Sequence, residues 1–406
     1  MIKYATKSML ILALVASLFS FAKFEHCRVS GWGTPDVYVH ACYSDLSALF
    51  GARGLDHHAW PYSDLTDSVE YPPGTAMVMW ATSWLVPHSP KGFTDYFDIN
   101  ALLIALLFLG TALLISRMNP ELWYLLPLSP AVLASLYINW DMWAVISAIA
   151  AIYFFDKEKY IWSAALLGLS IATKFFPVVL LIPVALIFYR RKEIANLINY
   201  IFISGFTWLL LNLPFIVTTP HGWWRFFKLN SERGADFGSL WYGLELFGLK
   251  VSSVNNFALL LFVIMTAILI YIFFLLKKVP TLAASSFLYV VAFTSASKVY
   301  SPQYVLWLTP VAILAISSLG ERARELRKDF WIWQAGELIY HLAVWEYLAS
   351  YTGAHFGLPT KAYATAIFLR LGTTFWLVAR VISRSSTREI DPQELEFLST
   401  ATDGYA

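Results

Sequence analysis

The chain has 406 residues, of which 58% are hydrophobic, 17% aromatic and only 14% charged, and its formal net charge is +2. Soluble domains carry roughly 25% charged residues, and a charge at bilayer depth costs roughly 2.5–3.5 kcal/mol even on lenient scales. The composition therefore points to a polytopic membrane protein and argues against nucleic acid as a partner. There is no Gly-rich phosphate loop and no cluster with metal-ligand spacing. His57-His58 is the one adjacent His pair, and no further ligands flank it.

Lys3 and Lys7 precede an apolar run, Met9 to Ala22, with no convincing small-residue cleavage site after it, so this run is expected to be a first transmembrane helix that is retained. Next comes the longest polar stretch, residues 25–98, which holds both cysteines, Asp36, Asp45, Asp64, Asp67 and Glu70, and the stop Tyr71-Pro72-Pro73. Connections longer than about 12–15 residues are usually functional or disordered, and the Trp, Tyr and His content here argues against disorder. Two short helices are expected within it, one about Asp45–Ala52 and one about Thr75–Val86. With the yardstick of about 20 residues per span, about twelve spans are read. They lie near residues 8–24, 99–116, 121–138, 141–155, 161–174, 176–189, 196–217, 254–276, 280–297, 303–319, 330–351 and 362–382. The expected fold is thus all-α and polytopic, with a polar tail over residues 384–406 read as disordered.

Lysines and arginines orient the spans. With Lys3 and Lys7 in the cytoplasm, alternation puts Arg117, Lys157 and Lys159, Arg190 to Lys192, Lys277-Lys278, Arg322 to Lys328 and Arg380 to Arg388 on the same side. This parity requires residues 74–87, about 14 in number, to lie at the interface without crossing, which makes 25–98 one outer loop. Both termini then fall in the cytoplasm. Asp45, Asn139, Asp141, Lys174, the loop from His221 to Tyr242 and the turn from Lys298 to Gln303 all fall at the outer face, which suggests one extracytoplasmic site.

The stretches C-Y-S-D-L (Cys42 to Leu46), R-G-L (Arg53 to Leu55), P-Y (Pro61-Tyr62), E-Y-P-P (Glu70 to Pro73), Y-F-D-I-N-A-L (Tyr96 to Leu102), I-N-W-D (Ile138 to Asp141), A-T-K-F-F-P (Ala172 to Pro177), E-R-G-A-D-F-G-S-L-W-Y (Glu232 to Tyr242) and K-V-Y-S-P-Q-Y (Lys298 to Tyr304) occur in order along the chain. Together they resemble the GT-C superfamily of membrane glycosyltransferases. More narrowly they resemble glycosyltransferase family 87, the polyprenol-phosphate-mannose-dependent α-mannosyltransferases of actinobacteria. The resemblance reaches to about Pro310, and nothing after Arg322 matches. It divides the chain into a catalytic membrane module, 1–320, C-terminal helices, 321–383, and the tail. It implies a multi-pass plasma-membrane enzyme that transfers a sugar, mannose in the better-known relatives, from a polyprenyl-phosphate donor to a glycolipid or lipoglycan acceptor in the cell envelope, with inversion. No cofactor is implied. Many GT-C relatives carry paired acids in the first outer loop, whereas Asp45 has no adjacent acid, which leans against a divalent metal without excluding one.

An inverting transfer needs a base to take the acceptor's hydroxyl proton, and the resemblance favours Asp45. From the residues alone, Asp45 reads equally well as the cap of the helix it opens. Asp36 is the nearest alternative, although after Pro35 it reads as a turn acid, and Asp64 and Asp67 read as solvated. The leaving lipid phosphate needs cations, for which Lys174, Arg233 and Lys298 are the candidates. Against these stand a snorkelling lysine at 174 and an Arg233–Asp236 ion pair. Asn139, Asp141, Asp236, Trp241, Tyr242, Gln303 and Tyr71 are candidate substrate contacts. For Asn139 helix capping competes with that role, and for Asp141 pairing with Lys174 does. The other tryptophans, Trp223, Trp224, Trp307, Trp331, Trp333 and Trp345, are mostly expected in the interfacial belt. Cys27 and Cys42 share the outer side, where a disulfide is permitted. The span count alone also fits a transporter or flippase, or a non-catalytic scaffold. No internal repeat supports a transporter, and a scaffold does not explain the outer loop.

Overall fold

In lipid a backbone can satisfy its own donors and acceptors only as helix or closed barrel, and long apolar runs joined by short turns leave the helix. The computed structural model describes residues 2–63, 68–87, 89 and 91–386, and among these the regular structure is helical, with no strand. Among the described residues, four helices are long and apolar enough to cross a membrane: Gly92–Met118, Ile194–Thr218, Val254–Leu275 and Thr360–Ser385. Lys7–Ala22, Tyr160–Thr173, Leu282–Ala296 and Pro302–Ser317 are shorter apolar helices. Asp141–Asp156, at about 1.5 Å per residue, covers only about 24 Å of a hydrocarbon core about 30 Å thick.

Prolines explain where an expected rod is broken. Region 121–138 forms two short pieces, Leu125–Leu128 and Pro130–Ser135, since Pro127 and Pro130 each remove a backbone donor. Region 176–189 starts as a 3-10 turn, Phe176–Leu180, and continues as Leu181–Arg191. The innermost helices are Leu282–Ala296 and Val305–Ser317, almost every residue of which is buried. Ile194–Thr218 and Val254–Leu275 turn most of their apolar side chains outward, as lipid-facing helices do.

The stretch 25–98 folds as short helices, Glu25–Ser30, Asp36–Val39, Asp45–Ala52 and Pro73–Ser83, before Gly92–Met118 begins. The second expected helix starts earlier than Thr75 because Pro73 occupies its first turn, where the missing N–H costs nothing. Cys27 and Cys42 are joined by a disulfide, with Cα atoms 6.0 Å apart and a sequence separation of 15. Closing a loop of that length restricts the unfolded chain by about 3 kcal/mol. Cys27→Ser/Cys42→Ser is therefore expected to lower unfolding free energy by about 2–4 kcal/mol, read as a loss of thermal midpoint in detergent. A midpoint unchanged from wild type would mean that this bond contributes nothing.

Two expectations change. The polar tail begins later than residue 384, because the last helix runs through Ser386. Arg380 and Arg384 pin its final turns to Asp329 on the preceding helix, Arg327–Tyr351, and to Glu325 in the turn just before that helix, at 3.1 and 2.7 Å. Residues 387–406, like Asp64 and Asp67, lie outside the described residues. Trp307, Trp333 and Trp345 are buried and do not form an interfacial belt. Each indole N–H has an internal acceptor: the Asp141 carboxylate at 2.9 Å, Thr374 Oγ1 at 3.1 Å and His341 Nε2 at 3.0 Å, respectively. Satisfied in this way, a tryptophan gains from full burial.

Candidate functional site

Ser44 and Asp45 lock the loop onto the turn between the Pro130–Ser135 and Asp141–Asp156 helices. Ser44 caps the Asp45–Ala52 helix, its Oγ accepting from the Leu46 N–H at 3.1 Å while donating to the Tyr137 carbonyl at 2.7 Å. The Asp45 N–H donates to the Ile138 carbonyl at 2.7 Å. Capping is thus done by Ser44, and the Asp45 carboxylate is left for other partners. Tyr43 Oη donates to Asp45 Oδ1 at 2.8 Å and Tyr71 Oη to Asp45 Oδ2 at 3.2 Å. Burial pushes the Asp45 carboxyl above its ordinary range, against the opposing pull of Tyr43, Lys174 and Tyr71. The neighbouring Asp45 charge, together with burial, holds the Tyr43 phenol well above its usual range, and burial, then Asp45, does the same to Tyr71. Both phenols stay protonated and remain donors.

Asp141 lies a short step along the same chain segment. Asn139 Oδ1 accepts from the Asp141 N–H at 2.9 Å, an Asx turn one residue ahead of the Trp140 cap of Asp141–Asp156. Asp141 is wholly buried, and its Oδ1 pairs with Lys174 Nζ at 2.5 Å. The Lys174 ammonium also sits over the Tyr71 ring, 4.3 Å from its centroid. Tyr71 therefore touches the Asp45 carboxylate through its hydroxyl and Lys174 through its face.

Gly74 allows this closeness. A Cβ there would lie 2.7 Å from the Thr173 Cα and 3.0 Å from the Ala172 carbonyl oxygen. Thr75 Oγ1 donates to the Thr173 carbonyl at 2.6 Å, which ties the Pro73–Ser83 helix to the residue before Lys174. The E-Y-P-P-G-T run is in this way a docking element. Its Glu70 forms a paired contact with Arg53, at 2.5 and 2.6 Å.

These groups open into a cavity of about 610 Å³. Asp45, Tyr71 and Lys174 line it together with Arg233, Asp236 and Gln303. Six sequence-predicted residues, from five separate parts of the chain, thus share one wall space. Arg233 is paired with Asp236 at 2.6 Å, both partly exposed, so an incoming anion can compete for the guanidinium. The other predicted residues are not on the lining. Asn139 and Asp141 are buried behind Lys174. Trp241 is buried and donates to the Ala296 carbonyl at 2.9 Å, and Tyr242 Oη meets Tyr347 Oη at 2.8 Å. Lys298 donates to the Arg233 carbonyl at 2.7 Å and to Asn255, closing the end of the Pro220–Glu232 helix. Burial, and then Arg233, lower its ammonium below the ordinary lysine range. Asp36 is not on the lining either.

Residues 321–383, where the sequence shows no matching motif, supply Tyr340, Val344, Trp345 and Leu348 to the same cavity. Their anchor is Arg370, fully buried and paired with Glu337 at 2.8 Å. Arg370 also donates to the Tyr300 and Ser301 carbonyls at 2.7 and 3.2 Å, and lies against the Tyr300 and Tyr340 rings. In this way it sets the Ser301–Gln303 turn that forms part of the wall. Neither residue is among the sequence candidates, although a charge in the middle of an apolar run marks both. Tyr43, Tyr38 and Trp345 left no such signal, because aromatics occur throughout this chain. Gly238, also on the lining, passes so close to the Tyr300 carbonyl that a Cβ would lie 2.1 Å from its oxygen.

The fold also gathers a group that sequence spacing did not reveal. His26, Asp36 and His40 place their ligand atoms within 4.8 Å of one another. No family model and no curated protein matches the chain.

Proposed function

We propose that the chain is an inverting glycosyltransferase of about twelve spans, with both termini in the cytoplasm. It moves a sugar, mannose by the resemblance described above, from a polyprenyl-phosphate carrier to a glycolipid or lipoglycan acceptor at the outer face of the plasma membrane. One observation carries the reading: a single cavity of about 610 Å³ holds a half-buried carboxylate of raised pKa together with Lys174 and Arg233. That volume falls within the usual range for small-molecule sites, about 300–1,000 Å³. Phe226 and Leu229 on the lining belong to the Pro220–Glu232 helix, which also carries Trp223, Trp224 and Phe227. This apolar rim suits a prenyl chain entering from lipid.

In the proposed reaction the acceptor hydroxyl oxygen attacks the anomeric carbon as the carbon–oxygen bond to phosphate breaks. Asp45 takes the hydroxyl proton, and the bonding pair leaves with the lipid phosphate, whose charge Lys174 and Arg233 balance. Asp141, Asn139 and Trp307 hold Lys174 in place from behind.

The pH dependence has a definite sign. The base works deprotonated, and burial raises the Asp45 pKa. Activity is therefore expected to rise with pH through a limb lying above the ordinary carboxylate value of about 4 and to level off beyond it. Tyr43→Phe removes a bond that favours the charged form, so it should move the limb to still higher pH with the plateau rate largely kept. A limb that stayed in place would mean that Tyr43 does not touch the reacting carboxylate. The direct test uses purified protein in lipid, radiolabelled polyprenyl-phosphate-mannose and a membrane glycolipid extract. The expected result is labelled glycolipid of inverted anomeric configuration. Donor flux across proteoliposomes without transfer would overturn the reading in favour of a transporter.

A further inference from the structure

The outer loop carries a second cluster, apart from the cavity, whose chemistry differs from anything used in transfer. His26 Nε2 lies 2.7 Å from Asp36 Oδ2, and His40 Nδ1 lies 3.1 Å from Asp36 Oδ1. The two imidazole rings stack with centroids 3.4 Å apart and planes 17° from parallel, so both nitrogens approach one carboxylate. The three side chains are each about 40% exposed. Ser30 Oγ adds a bond to Asp36 Oδ2 at 3.1 Å.

The frame that brings them together is rigid. His26 lies beside Cys27, and His40 lies two residues before Cys42, so the disulfide closes the loop directly behind both rings. Asp36 opens the Asp36–Val39 helix, and His40 follows four residues later, on the same face. A ligand set held by a crosslink has little ordering entropy left to lose on binding.

Two imidazoles and a carboxylate are the donors that zinc and its first-row neighbours take. Calcium and magnesium prefer six or more oxygens. Metal–ligand bonds of about 2.0–2.2 Å in a tetrahedron put ligand atoms roughly 3.4 Å apart. The two nitrogen–oxygen distances here, 2.7 and 3.1 Å, each lie within about 1 Å of that spacing. The exposed side of the cluster leaves a position for water, which makes an open three-ligand site.

We propose that His26, Asp36 and His40 bind one divalent transition-metal ion of the zinc class. The ion ties the loop a second time, next to the disulfide and ahead of the Ser44–Asp45 turn. Because none of the three residues lines the cavity, the role is one of stiffening, and the ion is not a reactant.

The test uses full-length protein in detergent, stripped with a chelator and titrated with Zn²⁺ alone against a chromophoric competitor. Wild type should take up one tightly bound Zn²⁺ per chain, and its thermal midpoint should rise on loading. His26→Ala and His40→Ala should each weaken uptake at least tenfold, and the double variant should lose the midpoint shift. All three residues are at the surface, so metal-free wild type and variants should melt alike, which separates lost binding from lost folding. Asp36→Asn should weaken Zn²⁺ binding without removing either imidazole. Mg²⁺ and Ca²⁺ should not compete. Zn²⁺ uptake by wild type no tighter than by the double variant would overturn the proposal. The readout involves no sugar transfer, so it stands or falls separately from the glycosyltransferase reading.

Discussion

Asp45→Asn is expected to lower sugar transfer by about 10²–10⁴-fold, the usual contribution of a positioned general base. The substitution keeps size and shape. An amide oxygen still accepts from Tyr43 or Tyr71, and the helix keeps its start because Ser44 supplies the cap. Lys174 and Arg233 are untouched, so donor binding should persist. Stability should hold or rise slightly, since a neutral amide escapes the burial that raises the Asp45 pKa; a site strained for function commonly gains stability when disarmed. The measurement pairs initial transfer rates with donor binding and a melting curve on the same preparation. Transfer that survives in the variant would remove Asp45 as base. The nearest alternative acid, Asp36, is held by His26 and His40 and is off the cavity lining, so Asp36→Asn should leave the transfer rate close to wild type.

Arg370→Met is expected to cost about 3–5 kcal/mol of stability, the usual penalty for removing one partner of a buried ion pair. The pair is completely enclosed: Arg370 is 0% exposed and Glu337 1%. The substitution leaves the Glu337 carboxylate without its counter-charge and takes donors from the Tyr300 and Ser301 carbonyls. An orphaned buried acceptor costs about 1–3 kcal/mol, but these losses overlap within one network and do not add. Arg370→Met/Glu337→Gln should recover part of the loss, because no unpaired charge remains, while the two carbonyls still lack their donor. Donor affinity should fall in both variants, as the Ser301–Gln303 turn forms cavity wall. A single variant within about 1 kcal/mol of wild type would show that relaxation or water replaces the pair.

The two expectations differ in how far the sequence led to them. Asp45 stood out because Ser44-Asp45-Leu46 opens a helix within the long polar stretch, which is local, although the residues alone read equally well as a cap and only the resemblance favoured a base. The helical class and the ends of most helices were equally local, since run length, proline position and capping residues act within a few positions. The Asp141–Lys174 pair was also foreseeable, because a lysine interrupting an apolar run needs a partner at its own depth.

Other features depended on which side of each helix faces which neighbour. In a soluble helix an apolar stripe gives that away, but a helix apolar all round carries no such mark. For this reason Trp307, Trp333 and Trp345, which read as belt residues, are interior donors, and Lys298, which read as a phosphate ligand, clasps the Arg233 carbonyl and Asn255. For the same reason the C-terminal helices, which carry no matching motif, supply part of the cavity wall. His26, Asp36 and His40 have no recognisable spacing, and only the disulfide and one turn of helix bring them to a common point. Composition and local pattern determined that this chain is helical, rich in membrane-compatible segments and chemically loaded in its first polar loop. Packing decided which polar groups meet across the cavity, because the apolar helices that position the turns and short helices bearing them have no sequence stripe to say which way they turn.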